Sequence, residues 1–228
     1  MKIAILGTGS VGQTLAQKLS EVGHDVVIGT RDPAATLART EPTPMSKHTY
    51  AEWSASHPKV GLATFAEAAK GSELIINASS GFAAHDVLST AGAENVKGKI
   101  VWDLSNPLDF SNGFPPSLFT SAAGDSLGER LQAAFPDARI VKTLNTVSAP
   151  VMVAPASVAG GQHTMFVCGN DADAKQKTKS YLSEWFGWTD VLDLGGIEQA
   201  RGTEGYLLLW TRLYGAIQSP MFSIKVAR

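Results

Sequence analysis

The stretch Lys2-Ile3-Ala4-Ile5-Leu6-Gly7-Thr8-Gly9-Ser10-Val11-Gly12 decides the fold. Its apolar run ends in the spacing G-x-G-x-x-G, and a helical pattern follows at once, because Val11, Leu15, Leu19 and Val22 fall on one face. The predicted order is therefore strand, tight glycine turn and helix. In this context the spacing indicates a dinucleotide-binding fingerprint and not a chance match.

Each glycine of this turn has a predicted structural role. Gly7 permits the turn, Gly9 lets the backbone approach a pyrophosphate without a Cβ in the way, and Gly12 lets the helix pack closely on the strand. The free N–H groups and the positive end of the helix dipole then face the phosphates. The sequence thus predicts that residues 7–12 hold the phosphates of a dinucleotide.

Composition narrows the class of protein. The 228 residues are 44% hydrophobic and 18% charged, which is typical of a globular protein with a buried core. The net charge of −2 gives no indication that the protein binds nucleic acid or an anionic membrane.

The sequence also predicts where the protein is located. No apolar run is long enough to span a bilayer, and the first residues already form a predicted strand, so we expect no targeting peptide and a cytoplasmic protein. The lone Cys168 is expected to be a small buried core residue.

Short apolar runs alternate with helical patterns along the chain. This alternation predicts an α/β fold with a doubly wound, mostly parallel sheet. Ligands bind beyond the carboxyl ends of the strands in such sheets. One edge is therefore expected to collect five segments: residues 7–12, Thr30-Arg31, Ala78-Ser79-Ser80, Ser105-Asn106 and Asn145-Thr146.

Three further segments have a predicted structure. A helix that begins near residue 34 is expected to be broken by Pro42 and Pro44. The stretch 45–58 and the Pro- and Phe-rich loop 108–125 are long connections, and such loops often cover a site. The last helix is predicted from Thr203 to Gln218 and is apolar on nearly every side.

The end of the second strand indicates which dinucleotide binds. NAD-binding proteins of this type carry Asp or Glu about 20 residues beyond the glycines, to bind the ribose 2′-hydroxyl. Here the strand ends in Thr30 and Arg31, and a hydroxyl with a guanidinium suits a 2′-phosphate. Asp32 either takes the NAD role or caps the helix that starts at Pro33, and we favour the cap. NADP is therefore the predicted cofactor.

At this point the motifs resemble a known family, the deazaflavin (coenzyme F-420)-dependent NADP reductases. The resemblance rests on residues 7–12, on Ile28-Gly29-Thr30-Arg31-Asp32-Pro33 and on three later stretches: Asp103-Leu104-Ser105-Asn106-Pro107, Val141-Lys142-Thr143-Leu144-Asn145-Thr146-Val147 and Phe222-Ser223-Ile224-Lys225. The family is also similar to the NADPH-oxidising domains of membrane metalloreductases and to the first domain of pyrroline-5-carboxylate reductases.

The resemblance implies a Rossmann-type NADP domain, a small C-terminal α/β extension and a homodimer. We expect a single dinucleotide-binding domain over residues 1–228, with the core at 1–150 and the extension at 151–228. Thr8, Ser10, Thr30 and Arg31 are then implied along the cofactor, with Asn77-Ala78-Ser79 and Asn106-Pro107 near the nicotinamide. The predicted cofactor-binding residues are Gly7, Thr8, Gly9, Ser10, Val11, Gly12, Thr30, Arg31, Ala78, Ser79, Asn106, Pro107 and Asn145.

Hydride transfer between two rings needs little side-chain chemistry, because the protein mainly stacks and orients the rings. The sequence accordingly shows no paired carboxylates, metal-spaced His/Cys cluster or nucleophile elbow, and no catalytic residue is identified. Ser79, Asn106 and Asn145 either bind the carboxamide or the acceptor ring, or only form turns. The predicted activity is an NADP-dependent oxidoreductase with a deazaflavin acceptor. Alternatives are a reductase of a small imine, carbonyl or ferric-flavin substrate, and a non-catalytic NADPH sensor.

The C-terminal part is predicted to complete the acceptor site and to form a dimer contact. Deazaflavin carries a phosphate and an acidic tail, so its site needs an apolar slot with positive charge at the mouth. The residues proposed for the slot are Phe110, Phe114, Pro115, Phe119 and Phe222, and those for the charge are Arg212, Lys225 and Arg228. The homodimer contact is expected at Leu207, Leu208, Trp210 or Leu213, because the last helix is too apolar to face solvent.

Overall fold

An eight-stranded sheet organises the computed structural model, which describes residues 1–42, 46, 48–120 and 124–228. The strands of this sheet are β1 (Lys2–Leu6), β2 (Asp25–Thr30), β3 (Gly61–Thr64), β4 (Leu74–Asn77), β5 (Ile100–Asp103), β8 (Arg139–Thr143), β9 (Met165–Cys168) and β10 (Val191–Asp193). Their order across the sheet is β10-β9-β8-β5-β4-β1-β2-β3. A separate pair is formed by β6 (Leu108–Asp109) and β7 (Ser117–Leu118).

Helices cover both faces of the sheet. They are α1 (Ser10–Glu21), α2 (Pro33–Leu37), α3 (Tyr50–Ser56), α4 (Phe65–Gly71), α5 (Ala84–Ala91), α6 (Ala93–Val96), α7 (Leu127–Ala134), α8 (Ala149–Val153), α9 (Ala172–Tyr181), α10 (Ala200–Gly205) and α11 (Leu207–Ile217). One turn of π-helix, Leu182–Phe186, continues α9. Within the part of the chain that the structure describes, every helix is too short or too polar to traverse a bilayer.

The predicted fold class is confirmed. Strands β1 to β5 and β8 are parallel, β9 runs antiparallel to β8, and β10 is parallel to β9. The register places Leu6 beside Asn77, Asn77 beside Asp103 and Asp103 beside Lys142. The carboxyl ends of four central strands therefore meet at one edge, as the sequence predicts.

Two apolar cores follow from the alternation of side chains along buried strands. In β1, Ile3 and Ile5 belong to one core and Ala4 and Leu6 to the other, and all four are fully buried. Trp102 of β5 lies in the first core, where its indole N–H donates to the Thr178 hydroxyl at 2.8 Å. A continuous apolar strand therefore needs cover on both faces, and the helices supply it.

The C-terminal helix differs from its prediction. It begins at Ala200, earlier than expected, and it is interrupted at Tyr206 between α10 and α11. Gly202 and Gly205 weaken the helix before that point, since glycine is the poorest helix former after proline.

Some predictions fall outside the described residues or stay untested. Three predicted features lie outside the described residues. They are the helix break at Pro44, the position of Met45 in the stretch 45–58, and residues 121–123 of the long loop. The division of the chain near residue 150 stays a prediction.

Candidate functional site

The glycine turn joins β1 to α1 in a conformation that glycine permits. Gly7 has φ +135°, and a Cβ there would lie 2.7 Å from the carbonyl oxygen of Ala78. A Cβ on Gly12 would lie 2.1 Å from the carbonyl oxygen of Gly7. On Gly9, in contrast, a Cβ would have no heavy atom within 4 Å among the described residues. The turn is therefore closed on the protein side at Gly7 and Gly12, and open at Gly9.

The start of α1 offers donors to this open space. Gly9 is the N-cap and provides no side-chain cap, so the first amide groups of the helix, including those of Ser10 and Val11, lack that partner. The Gln13 amide donates to the carbonyl oxygen of Thr8 at 2.9 Å and fixes the turn. An uncapped helix start behind a rigid glycine turn is suited to bind an anion.

The end of β2 lies next to the glycine turn, because the Gly7 N–H donates to the Gly29 carbonyl at 3.1 Å. Thr30 is buried, and its hydroxyl shares a hydrogen bond of 2.8 Å with Thr36. Arg31 is exposed at this junction. The Asp32 carboxylate accepts from the Ala35 N–H at 3.0 Å, which confirms that Asp32 caps α2.

A second guanidinium, which the sequence reasoning missed, reaches the same place. Arg39 follows α2 and donates from Nη1 to the Thr8 hydroxyl at 3.3 Å. The only signal in the sequence was its position in the segment after Pro33. Two arginines, Arg31 and Arg39, thus lie beside the glycine turn, where a carboxylate would repel a phosphate and a guanidinium attracts it.

The predicted residues beyond β4, β5 and β8 come together at the other end of this edge. Asn106 and Asn145 form a reciprocal pair: Asn106 Nδ2 donates to the Asn145 carbonyl at 2.9 Å, and Asn145 Nδ2 donates to Asn106 Oδ1 at 3.0 Å. Gly81 fits closely here, since a Cβ would lie 2.0 Å from the Asn106 carbonyl oxygen. Ala78 and Ser79 are half-buried beside this pair of segments, and Pro107 follows Asn106.

Leu144 makes the turn that presents Asn145. It has φ +59°, a left-handed conformation that is unusual for a residue other than glycine, and its side chain is fully buried. Such a conformation costs roughly 1–3 kcal/mol and persists only where the surrounding structure imposes it. Packing around Leu144 therefore fixes the backbone from which Asn145 extends.

A buried ionic cluster of Asp103, Lys142 and Glu204 lies just below the edge. The Lys142 ammonium donates to Asp103 Oδ2 at 2.8 Å, to the Ser105 carbonyl at 2.5 Å and to Glu204 Oε1 at 2.8 Å. All three charged side chains are at most 1% exposed. Burial alone would lower the pKa of Lys142, but the carboxylates of Asp103 and Glu204 raise the pKa above its ordinary value. The ammonium therefore stays charged.

The cluster joins three parts of the edge through hydrogen bonds. Asp103 accepts from Asn77 Nδ2 at 3.0 Å and from the Ser105 hydroxyl at 2.6 Å. Glu204 accepts the N–H groups of Leu127 and Gly128, at 2.8 and 3.0 Å, and so binds the start of α7. The strand ends, the start of α7 and helix α10 are thereby held in one arrangement.

Aromatic side chains border the edge. Phe82, 63% exposed, stacks on Phe119 with ring centroids 4.4 Å apart, and the Arg130 guanidinium lies 6.0 Å from the Phe119 ring. Phe114 contacts Tyr214 of α11 edge-on, with centroids 6.1 Å apart. Phe119 thus lies beside the segment that follows β4. Phe82 belongs to that segment, and the sequence reasoning missed it.

The last ten residues pack across the start of β9. The Thr164 N–H donates to the Ile224 carbonyl at 3.0 Å, and the Val226 N–H donates to the Thr164 hydroxyl at 3.0 Å. Arg228 pairs with Asp190 at 2.5 Å, and Phe222 stacks on Trp210 with centroids 5.1 Å apart. Because β9 runs antiparallel to β8, this segment lies at the same edge of the sheet as Asn145.

Cys168 is fully buried, as expected. Burial raises the pKa of this thiol to about 12, so at neutral pH it is a thiol and not a reactive thiolate.

The mostly parallel sheet, the open glycine turn and the two arginines define a protein of the dinucleotide-binding class. The family described as "NADP oxidoreductase coenzyme F420-dependent" matches residues 2–107. A solved structure from Arthrobacter sp. FB24, described as a putative F420-dependent NADP-reductase, is 51% identical, with a TM-score of 0.93 and with 100% of both chains covered. The chain belongs to this family of NADP-dependent oxidoreductases.

Two curated relatives extend the comparison. The F420-dependent NADP reductase of Methanothermobacter marburgensis is 29% identical over 209 residues, which are 90% of this chain and 88% of that protein. Metalloreductase STEAP3 of Rattus norvegicus is 29% identical over 203 residues, which are 89% of this chain. The matched region spans only 36% of that metalloreductase.

Proposed function

We propose that this enzyme transfers a hydride between NADPH and a deazaflavin coenzyme. The observation that carries the proposal is the similarity over the whole chain to the Arthrobacter structure, whose description names an F420-dependent reductase. The geometry supports it, because the edge offers phosphate-binding groups at one end and amides with aromatic faces at the other. NADPH supplies the hydride, and the protein orients two rings and excludes water between them.

The site residues have proposed roles along the cofactor. The open turn at Gly9 and the start of α1 receive the pyrophosphate, and Arg31 and Arg39 receive the 2′-phosphate. Thr30 stabilises the connection between β2 and α2, which carries Arg31, through its hydrogen bond to Thr36. At the far end, the paired amides of Asn106 and Asn145, with Ser79 and the backbone of Ala78 and Pro107, border the nicotinamide.

The acceptor ring is proposed to lie against the aromatic border. Phe82 and Phe119 already stack on each other, so their exposed faces provide an apolar surface beside the β4 segment. The acidic tail of a deazaflavin is proposed to face Lys225, which carries positive charge in the C-terminal segment beside the edge. These groups satisfy the two requirements of the acceptor, an apolar slot and a cationic mouth.

Stopped-flow oxidation of NADPH tests the acceptor. We expect rapid reduction of deazaflavin, and reduction of FMN, FAD and a ferric chelate at least tenfold slower, because they do not match both the slot and the charged mouth. Fastest reduction of the ferric chelate would favour an activity like that named for the metalloreductase relative. No oxidation with any acceptor, together with tight NADPH binding, would favour a sensor.

We further propose a homodimer through α11. Leu209 and Ile217 are 53% and 52% exposed on this helix, and Leu208 and Leu213 are only half-buried. Leu207, in contrast, is already buried within the chain. A helix that is apolar on several sides and covered on only some of them is suited to pack against a second copy.

Replacing Leu209 and Ile217 together with aspartate is expected to convert the dimer to a monomer, because two carboxylates would be desolvated in the interface. Light scattering at micromolar concentration measures the mass. The control is Val22→Asp, at an exposed apolar position at the end of α1. A wild-type protein that is monomeric at this concentration, or a double variant that stays dimeric, would contradict the proposed interface.

A further inference from the structure

A chain of hydrogen bonds leads from the buried ionic cluster to the surface at Ser79. The Lys142 ammonium pairs with Asp103, and Asp103 accepts from Asn77 Nδ2 at 3.0 Å. At the outer end, Asn77 Oδ1 accepts from the Ser79 hydroxyl at 2.7 Å. The three inner side chains are fully buried, whereas Ser79 is half-buried and its contact with the Ser80 carbonyl is exposed. The core therefore constrains a hydroxyl that lies at the edge of the sheet.

The charge at the inner end fixes the direction of each hydrogen bond in this chain. A carboxylate only accepts, so Asn77 turns its NH2 group toward Asp103 and its Oδ1 toward Ser79. That oxygen also only accepts, so the Ser79 hydroxyl donates its single proton to it. The Ser80 carbonyl, the other acceptor near this hydroxyl, is farther away at 3.4 Å. The Ser79 oxygen is left with its lone pairs, as an acceptor.

An oxygen that only accepts selects the group that it can bind. It suits an O–H or N–H donor, and it does not suit the oxygens of a phosphate, which are acceptors themselves. The donors of NADP are the ribose hydroxyls and the NH2 groups of the adenine and of the nicotinamide carboxamide. One of these groups is therefore the partner that the polarity of Ser79 allows.

The position of Ser79 along the edge selects among these donors. Strand β4 lies between β1, whose turn is proposed to hold the pyrophosphate, and β5, which leads to Asn106 at the proposed nicotinamide end. A Cβ on Gly7 would lie 3.2 Å from the Ser79 nitrogen, and a Cβ on Gly81 would lie 2.0 Å from the Asn106 carbonyl oxygen. In the cofactor, the group between the pyrophosphate and the nicotinamide is a ribose. Its hydroxyls therefore match Ser79 in position and in polarity.

We propose that the Ser79 oxygen accepts a hydrogen bond from a hydroxyl of the ribose next to the nicotinamide, and that Asn77 positions it. This inference rests on the proposed function, from which it takes the placement of the pyrophosphate and the nicotinamide. Asn77 is itself held by Asp103 in the core, so the lone pairs of Ser79 are oriented before the cofactor binds. A preoriented acceptor loses little rotational freedom on binding.

The variant Ser79→Ala tests the contact with three ligands of decreasing length. NADP⁺ is the whole cofactor, 2′-phospho-ADP-ribose keeps this ribose without the nicotinamide, and adenosine 2′,5′-bisphosphate lacks both. Loss of one hydrogen bond is expected to weaken binding of the first two ligands about three- to tenfold and to leave the third unchanged. Calorimetric titration measures the three affinities. The matched control is Ser89→Ala, at an exposed position of α5, which should change none of them.

A double-variant cycle tests the positioning role of Asn77. Asn77→Ala should weaken NADP⁺ binding by less than Ser79→Ala does, because the freed hydroxyl can still rotate and accept. Added to Ser79→Ala, it should weaken NADP⁺ binding no further, because Asn77 acts through Ser79. A merely structural Asn77 would weaken NADP⁺ further in that background and would also weaken adenosine 2′,5′-bisphosphate. Asn77→Ser, which keeps a donor for Asp103, takes its place in the cycle if thermal unfolding shows that the alanine variant does not fold.

Three results would overturn the inference. They are an NADP⁺ affinity of Ser79→Ala equal to that of the wild type, a loss for NADP⁺ without a loss for 2′-phospho-ADP-ribose, and equal losses for all three ligands. The second result would assign the contact to the nicotinamide, and the third would make Ser79 a structural residue. Because no hydride acceptor takes part in these titrations, failure to reduce deazaflavin contradicts the proposed function and leaves this comparison intact.

Discussion

The double replacement Arg31→Ala and Arg39→Ala is expected to weaken NADPH binding about a hundredfold or more and to leave NADH binding nearly unchanged. A hydrogen bond to a charged group contributes roughly 1.5–3 kcal/mol, so each guanidinium is expected to account for about a tenfold change or more. The 2′-phosphate is the only group that distinguishes the two nucleotides. Calorimetric titration of both nucleotides against wild type and variant measures the difference.

The matched control for this pair is Lys97→Ala. Lys97 follows α6, at the opposite edge of the sheet, where it forms a surface pair with Asp137 at 3.5 Å. Its removal lowers the net charge without touching the proposed phosphate site, and it should leave both affinities unchanged. Equal losses for NADPH and NADH in the double variant, or tighter binding of NADH by the wild type, would refute the 2′-phosphate assignment.

Replacement of Lys142 by methionine is expected to lower the free energy of unfolding by about 3–5 kcal/mol, because it leaves two buried carboxylates without their cation. Urea unfolding followed by tryptophan fluorescence measures the loss.

Lys175→Met provides the comparison. Lys175 pairs with Asp193 at 2.9 Å, but the Asp193 side chain is 37% exposed, so the remaining carboxylate keeps its water. Such partly exposed pairs contribute about 0–1 kcal/mol. If the Lys142 and Lys175 variants lose similar free energies of unfolding, burial of the cluster is not the reason that the loss of Lys142 destabilises the fold.

Local constraints made parts of the site predictable. Gly7 and Gly12 follow from the contacts of one tight turn, and Asp32 follows from the rule that a helix start needs a cap. The strand ends were predictable as a group, because parallel strands bring their carboxyl ends to one edge. None of these inferences depends on which residues from distant parts of the sequence lie close in the folded protein.

Arg39, Phe82 and Glu204 show where such reasoning ends. Each acts through a partner far along the chain: Arg39 through Thr8, Phe82 through Phe119 and Glu204 through Lys142. One signal was available for the last pair. A lysine inside an apolar strand of a covered sheet needs buried carboxylates, and Asp103 occupies the adjacent position on β5. The second carboxylate comes from α10 and depends on tertiary packing.

The left-handed turn at Leu144 also has a consequence for the proposed nicotinamide site. The strained backbone at Leu144 and the reciprocal Asn106–Asn145 hydrogen bonds are already formed in the folded protein, so these two amides are ordered before any ligand binds. A preorganised surface loses little conformational entropy on association. If the nicotinamide of NADPH binds at this end of the edge, as we propose, its binding requires no rearrangement of Asn106 and Asn145, and the rate of association there is set by diffusion and orientation.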